Sequence, residues 1–500
     1  MLPRELIHRI LRPSLQAVSQ RSFSTSSRRA NVIEELESRG MVADLTSRAV
    51  RKHVDEPAVV YLGVDPSARS LHVGNLAALI GLLHFRLQGH TGIALIGGAT
   101  GSVGDPSGRS TERNALSPAE LDANVKAITT QLTDFLNHGV PFAQSRNRRR
   151  DLAFLEKETG AIRVENNLDW LGGMGLLKFL STVGKTARIS TMLSRESVKS
   201  RLESTSGLSF TEFSYQLLQA FDFLTLHQRH GCTIQLGGSD QLGNIMGGIE
   251  MIRKSKESVV SVSQDVELGL GGDQVDPAYG LTMPLLTTAS GEKFGKSAGN
   301  AIWLDSSMTS PFDFYQFFLR TTDEEVHKYL KIFSFIRVIE IEGIMADHKA
   351  HPDQRVAQKV LAAEATELIH GAKGLRQALA ATELFYSSDL KELNTPSLID
   401  ALDARPDLST PGEAAIPSLL VRLSKADFLN QSLEKILTAS GLVTSKTQAR
   451  KAIEAGTLQL NGVRIPAKQH QRLITEEDTL DGGLVVLKQG KSTHKAVLLQ

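Results

Sequence analysis

The residues with the clearest chemical potential are His72-Val73-Gly74-Asn75, shortly after Tyr61-Leu62-Gly63-Val64-Asp65-Pro66-Ser67, and Lys293-Phe294-Gly295-Lys296-Ser297, 221 positions further on. Val59 to Val64 reads as a strand, and His72 to Asn75 opens an apolar-periodic helix. A strand leading to a helix start presents free N–H groups and the positive end of a dipole, which suits phosphate. Gly74 lets the backbone approach a base or ribose. The two lysines, three apart around Gly295, suit a loop that folds cations over a departing pyrophosphate. Taken singly, the first stretch also fits helix capping and the second a solvated turn. Together they specify a nucleoside triphosphate site.

Ser209 to Phe223 has apolar residues at helical spacing, with Tyr215, Gln219 and Asp222 at i, i+4 and i+7 on one face. Among large apolar neighbours that stripe reads as the polar lining of a pocket; a solvated face is the plainer alternative. Ile234 to Gln241 reads as a strand, a glycine turn and an acid, and Asp240 at a strand's carboxyl end can accept from ribose hydroxyls or cap the next helix. Leu95 to Arg109 is a strand entering a glycine-rich loop that lacks the Gly-Lys-Ser/Thr ending of a P-loop. Gly184-Lys185-Thr186 and Gly295-Lys296-Ser297 have the ending but lack the first glycine, so a P-loop nucleotidase is disfavoured.

These stretches resemble the HIGH and KMSKS signatures of class I aminoacyl-tRNA synthetases, and the text around them resembles the tyrosyl-tRNA synthetases, in particular mitochondrial, fungal members. Asn75 stands for the last His of the first signature and Phe294-Gly295 for Met-Ser of the second. The resemblance implies ATP-dependent attachment of tyrosine to mitochondrial tRNA(Tyr) through a tyrosyl-adenylate, with pyrophosphate released. It assigns Tyr61 and Asp222 to the phenolic hydroxyl, Asp105, Tyr215 and Gln219 to the ammonium group, and Gln241 to the carboxylate end. Gly63, Asp65, Gly74, Gly238, Asp240 and Leu286 would line the ATP side, and Ser67, His72, Asn75, Arg109, Arg113, Lys293, Lys296 and Ser297 would handle phosphates. ATP enters as substrate, Mg2+ is expected with it, and no protein-ligated metal site is expected. Tryptophanyl-tRNA synthetase shares the architecture, but a Tyr61–Asp222 pair suits a phenol. A further alternative is a bifunctional protein that also stabilises structured group I intron RNA, as some fungal mitochondrial relatives do.

The chain has 500 residues, 41% hydrophobic and 22% charged, with one cysteine, Cys232, which excludes an intrachain disulfide framework and a cysteine zinc cluster. No apolar run is long enough to span a bilayer, so no membrane partner is expected. Residues 1–30 hold six arginines, no lysine and one acid, the composition of a mitochondrial transit peptide, with cleavage expected near Asn31 and a matrix location. Without them the formal charge falls from +1 to −4, so RNA contacts must come from local patches.

The fold expected is α/β: a Rossmann-like parallel-sheet catalytic domain with a helical connective insertion over 31–304, an α-helical anticodon-binding domain over 305–393, a linker over 394–430, and a small α+β RNA-binding domain over 431–500. In the last, Ser445 to Gly456 resembles a module shared with a ribosomal protein, with Lys446, Arg450 and Lys451 as phosphate contacts. Ser117 to Glu120 reads as a capping box opening a helix that ends near Gly139. Ser145 to Asp151 and Ser258 to Asp276 read as insertions. A homodimer formed through the connective insertion is implied by the resemblance.

Overall fold

Short strands, the central ones mostly apolar, build a six-stranded sheet: β1 (Asp44–Leu45), β2 (Val59–Val64), β3 (Thr91–Ile96), β4 (Ile162–Asn166), β5 (Cys232–Gly238) and β6 (Tyr279–Met283). The computed structural model describes residues 30–107, 116–147, 159–204, 207–260, 276–287, 296–297, 300–387, 390, 393–403, 418–467, 472–490 and 493–500. The strand order is β1-β6-β5-β2-β3-β4, parallel except for β1, which is antiparallel to β6. The chain therefore runs outward from β2 through β3 and β4, then returns to β2's other side with β5. That reversal opens a crevice beyond the carboxyl ends of β2 and β5.

The signature helix Val73–Leu87 lies on this sheet with Leu76, Leu79, Ile80, Leu83 and Phe85 buried. The Ser117 capping box forms as expected, Glu120 Oε2 accepting from Ser117 N at 2.9 Å, but the helix it opens runs from Pro118 to Asn147 and passes through Gly139. Gly139 is a packing residue, not a terminator: a Cβ there would meet Leu83 Cδ1 at 2.4 Å. The pocket helix Phe210–His230 starts on a Ser209–Glu212 capping box and stops at left-handed Gly231 (φ 64°).

The described chain forms two compact units, one comprising residues up to Asp305 together with Thr321–Ala357, the other Ser306–Arg320 with Gln358–Gln500. The stretch 305–393 is thus divided between them. The physical reason for the first unit's claim on 321–357 is Arg39, which is 3% exposed. Its guanidinium donates to the carbonyls of Lys331 (3.1 Å), Ser334 (3.0 Å) and Ile336 (2.9 Å), closing the end of helix Val326–Phe333. Its Nε also meets Glu35 at 2.6 Å.

Two short strands, β7 (Lys296–Ser297) and β8 (Asn300–Ala301), pair antiparallel. The second unit holds a five-stranded sheet of β9 (Leu420–Leu423), β10 (Leu458–Leu460), β11 (Val463–Arg464), β12 (Leu484–Gln489) and β13 (Thr493–Leu499), in the order β11-β10-β12-β13-β9. Leu433, Ile436, Ala449 and Ile453 form a core with Val485 and Val497, while Leu384, Phe385, Leu398 and Leu402 form another with Val486 and Ala496. The expected linker is accordingly in part structured: Thr395–Asp403 is a helix with Leu398 and Leu402 buried, and β9 joins the sheet parallel to β13. Pro396 stands in the first turn of that helix, where its missing N–H costs nothing. Residues 1–29 of the expected transit peptide, and most of both expected insertions, lie outside the described residues.

Removing a buried guanidinium that serves three carbonyls leaves acceptors without donors. Arg39→Leu is expected to destabilise the first unit by about 3 kcal/mol, measured as a lowered urea midpoint; an unchanged midpoint would refute the closure role.

Candidate active site

The first signature is built by the helix start itself. His72 Nδ1 accepts from Gly74 N (3.0 Å), and Asn75 Oδ1 accepts from His72 N (3.1 Å), a reciprocal cap. With Nδ1 accepting, a neutral His72 ring carries its proton on Nε2. The segment that follows the second signature is brought alongside by backbone pairing: Val73 N donates to Ile302 O (2.9 Å) and Leu304 N to Leu71 O (2.8 Å), with Trp303 opposite His72. The hairpin of β7 and β8, which carries Lys296 and Ser297 in its backbone, leads directly into this pairing. Lys293, Arg109 and Arg113 lie outside the described residues.

A cleft of about 1230 Å³ opens over the carboxyl ends of β2 and β5. Tyr61, Gly63, Asp65, Ser67, His72, Gly74, Asn75, Asp105, Tyr215, Gln219, Asp222, Gly238, Asp240, Gln241 and Leu286 all line it. Three carboxylates organise the floor. Asp65 accepts from Thr100 Oγ1 (2.9 Å) and from Tyr215 OH (3.0 Å). Asp105 accepts from Ser107 N (2.9 Å) and Gln241 Nε2 (2.7 Å). Asp222, 3% exposed, accepts from Asn167 Nδ2 (3.0 Å) and Trp170 Nε1 (2.7 Å).

Burial pushes the Asp222 carboxyl up to about 7 against the pull of its two donors. The hydroxyls of Tyr61 and Tyr215 are likewise raised well above their ordinary range, chiefly by burial and then by neighbouring carboxylates, so both stay protonated donors. Tyr61 OH is buried and has no hydrogen-bond partner among the described residues. An orphaned hydroxyl this deep is costly unless a ligand answers it.

Several groups that line the cleft or stand behind its lining were not singled out from the sequence. Asn167 and Trp170 follow β4 and converge on Asp222, while Asn167 also donates to Thr100 Oγ1 (3.0 Å). Asn244 donates to Gln219 Oε1 (3.0 Å) and Gln241 Oε1 (3.2 Å), tying the pocket helix to helix Leu242–Val260. Gln235 faces Tyr61 in register across β2 and β5. The signal available was the three-residue spacing of Asn167 and Trp170 at a strand's carboxyl end. In the second unit, Lys446, Arg450 and Lys451 lie on the exposed side of helix Lys446–Glu454, with Arg450 bound to Glu434 at 2.9 Å. Among the described residues, no group of three or more His, Cys, Asp or Glu could hold a metal ion, and no helix is long and apolar enough to cross a membrane.

The family model of class I tRNA synthetases for tryptophan and tyrosine matches residues 52–387, and the model of the tyrosine–tRNA ligase SYY-like carboxyl-terminal domain matches 415–497. The tyrosine–tRNA ligase of Geobacillus kaustophilus is 38% identical over 466 residues, spanning 93% of this chain and 98% of that one. The chain belongs to the tyrosyl-tRNA synthetases. The mitochondrial tyrosine–tRNA ligase of Drosophila melanogaster is 40% identical over 445 residues, 88% of this chain and 87% of that one. A crystal structure of a truncated mitochondrial tyrosyl-tRNA synthetase from Aspergillus nidulans aligns with TM-score 0.62 and 32% identity, covering 77% of this chain and all of that one. This synthetase therefore joins tyrosine to tRNA as a tyrosine–tRNA ligase, with ATP as substrate, and the tryptophan alternative is not better supported.

Gly97 ends β3 where the synthetase's floor is tightest: a Cβ would sit 2.2 Å from Asp65 Oδ1 and 2.4 Å from Thr100 Oγ1. Gly97→Ala is expected to push Asp65 off Tyr215, costing about 1–3 kcal/mol of stability and at least tenfold in aminoacylation. Wild-type values for both would show that the contact is slack.

Proposed function

We propose that tyrosine lies in this cleft with its phenol between Tyr61 and Asp222, its ammonium group at Asp105, Tyr215 and Gln219, and its carboxylate end near Gln241. The observation that carries this reading is the orphaned Tyr61 hydroxyl beside the buried, desolvated Asp222. Tyr215, whose O–H donates its hydrogen bond to Asp65, offers its lone pairs to an ammonium group. ATP would take Gly63, Asp65, Gly74, Gly238, Asp240 and Leu286, and Mg2+ would arrive on its phosphates.

The tyrosine carboxylate is already a nucleophile, so activation needs neither a general base nor a covalent enzyme intermediate. It attacks the α-phosphorus, the bond to the bridging oxygen breaks, and pyrophosphate leaves with the electron pair. What the protein supplies is in-line placement and charge stabilisation. His72, donating from Nε2, and Ser67 would serve the phosphates at the helix start, with Arg109, Arg113, Lys293, Lys296 and Ser297. A terminal ribose hydroxyl of tRNA(Tyr) then attacks the adenylate's carbonyl and AMP departs. Lys446 and Lys451 would meet tRNA phosphates, Arg450 being engaged by Glu434.

We also infer a mitochondrial matrix enzyme that works as a homodimer. The arginine-rich, acid-poor residues 1–30 and the likeness to mitochondrial relatives support the location. Asn31, the expected mature start, caps helix Val32–Ser38 and so suits a chain end. Support for the dimer comes from the connective segment, where Leu176, Leu177, Ile189 and Phe210 are 67–81% exposed.

Tyrosine-dependent ATP–pyrophosphate exchange tests the enzyme reading. Exchange should proceed with tyrosine and hardly with phenylalanine, and Asp222→Asn should cut that discrimination about 10- to 100-fold. Because the carboxylate form accepts from the phenol, kcat/KM for tyrosine should fall as pH drops through about 7, and the acid limb should vanish in Asp222→Asn. Flat pH dependence, or discrimination untouched by Asp222→Asn, would overturn the pocket assignment. Leu177→Asp should convert a sedimenting dimer to monomer, and residues 1–30 should carry a reporter into mitochondria; a persistent dimer or a cytosolic reporter would refute each inference.

A further inference from the structure

Arg229 stands in the last turn of the pocket helix, exposed, with its guanidinium carbon 5.2 Å from the centroid of the Trp170 ring. The same indole donates to Asp222 Oδ1 at 2.7 Å. The geometry points to Arg229 as a positioning residue for tyrosine selection: its cation lies over the indole and fixes the N–H that orients the Asp222 carboxylate. The inference rests on the reading of Asp222 as acceptor for the substrate phenol.

Trp170 needs such a hold because of where it sits. It belongs to a four-residue helix, Leu168–Leu171, too short to be stable alone. Its N-cap residue Asn167 makes no side-chain cap, since its amide N–H groups go to Asp222 and Thr100 and its side-chain oxygen accepts from Ala99 N, which leaves the helix start with one side-chain acceptor, Asn166 Oδ1 for Leu168 N (3.0 Å). Inward, the indole belongs to the core formed with Tyr61, Phe223 and Leu226. Outward, Arg229 supplies the other contact.

The neighbouring residue makes the same connection from another direction. His230 Nε2 lies 3.2 Å from Glu165 Oε1 on β4, so two consecutive residues of the helix end grip the segment 165–170 that delivers Asn167 and Trp170. Gly231, left-handed, terminates the helix immediately afterwards and leaves Arg229 and His230 in its last turn. A cation there also suits the helix dipole, which would stabilise the fold without touching selection. A cation over the indole face does more, because drawing electron density from the ring strengthens the N–H as a donor.

The two roles separate kinetically. Arg229→Gln should raise KM for tyrosine about 2- to 5-fold with kcat unchanged, and lower the tyrosine-over-phenylalanine ratio by a similar factor. Arg229→Lys, which keeps the cation, should restore both. In a Trp170→Phe background the Arg229→Gln effect should disappear; should Trp170→Phe not fold, the lysine rescue carries the test alone. A lowered melting temperature with unchanged KM and ratio would assign Arg229 to the dipole and overturn the proposal. So would an undiminished Arg229→Gln effect in folded Trp170→Phe, or failure of lysine to restore. Asp222→Asn, run in parallel, distinguishes the failures: if it leaves discrimination intact the pocket assignment falls, and if it abolishes discrimination while Arg229→Gln does nothing, only this inference falls.

Discussion

Two backbone hydrogen bonds, Val73 to Ile302 and Leu304 to Leu71, hold the rest of the site in place. They join the start of the signature helix to the segment that follows the lysine-bearing hairpin, across more than two hundred residues of sequence. The helix start is by itself a modest local device, a cap. Its positive dipole end faces the cleft, and Ala301 and Trp303 of the paired segment line the same space. The pairing uses main-chain groups of Leu71, Val73, Ile302 and Leu304 and so does not depend on their side chains.

The cleft floor obeys a different constraint. Asp65, Asp105 and Asp222 bring three acids into a largely enclosed space, and such a grouping persists only if each has donors. Each does, and the donors come from different elements: Thr100 and Tyr215, Ser107 and Gln241, Asn167 and Trp170. In the proposed pocket the substrate's polar groups would meet acceptors already fixed in direction, with the Tyr61 hydroxyl as a donor. Rigid acceptors of this kind select by the penalty of leaving them unanswered.

Much of this was legible in the sequence because it is local. The cap at His72, the stripe of Tyr215, Gln219 and Asp222, and the strand before Asp240 each follow from spacing within a few residues, and all line the cleft. What could not be read is whatever depends on strand order. Asn167 and Trp170 meet Asp222 only because β4 lies beyond β3 on the same side of β2, and Asn244 meets Gln219 only because two helices pack side by side. Gly139 looked like a helix end because glycine usually is one; its close approach to Leu83 decides otherwise. Likewise a proline-bearing stretch near 396 suggested a linker, yet Leu398 and Leu402 bury a helix there.

Arg39 also bears on how the molecule is made. Its carbonyl acceptors come 292 to 297 residues later in the chain. A polypeptide emerging amino end first must therefore keep that guanidinium waiting, next to an amphipathic helix whose Val32, Ile33 and Leu36 are destined for the interior, until most of the message has been translated. Loops that long close slowly, and the surface they leave open in the interval is sticky. The ion that seals the finished domain thus also joins its beginning to a segment made some three hundred residues later.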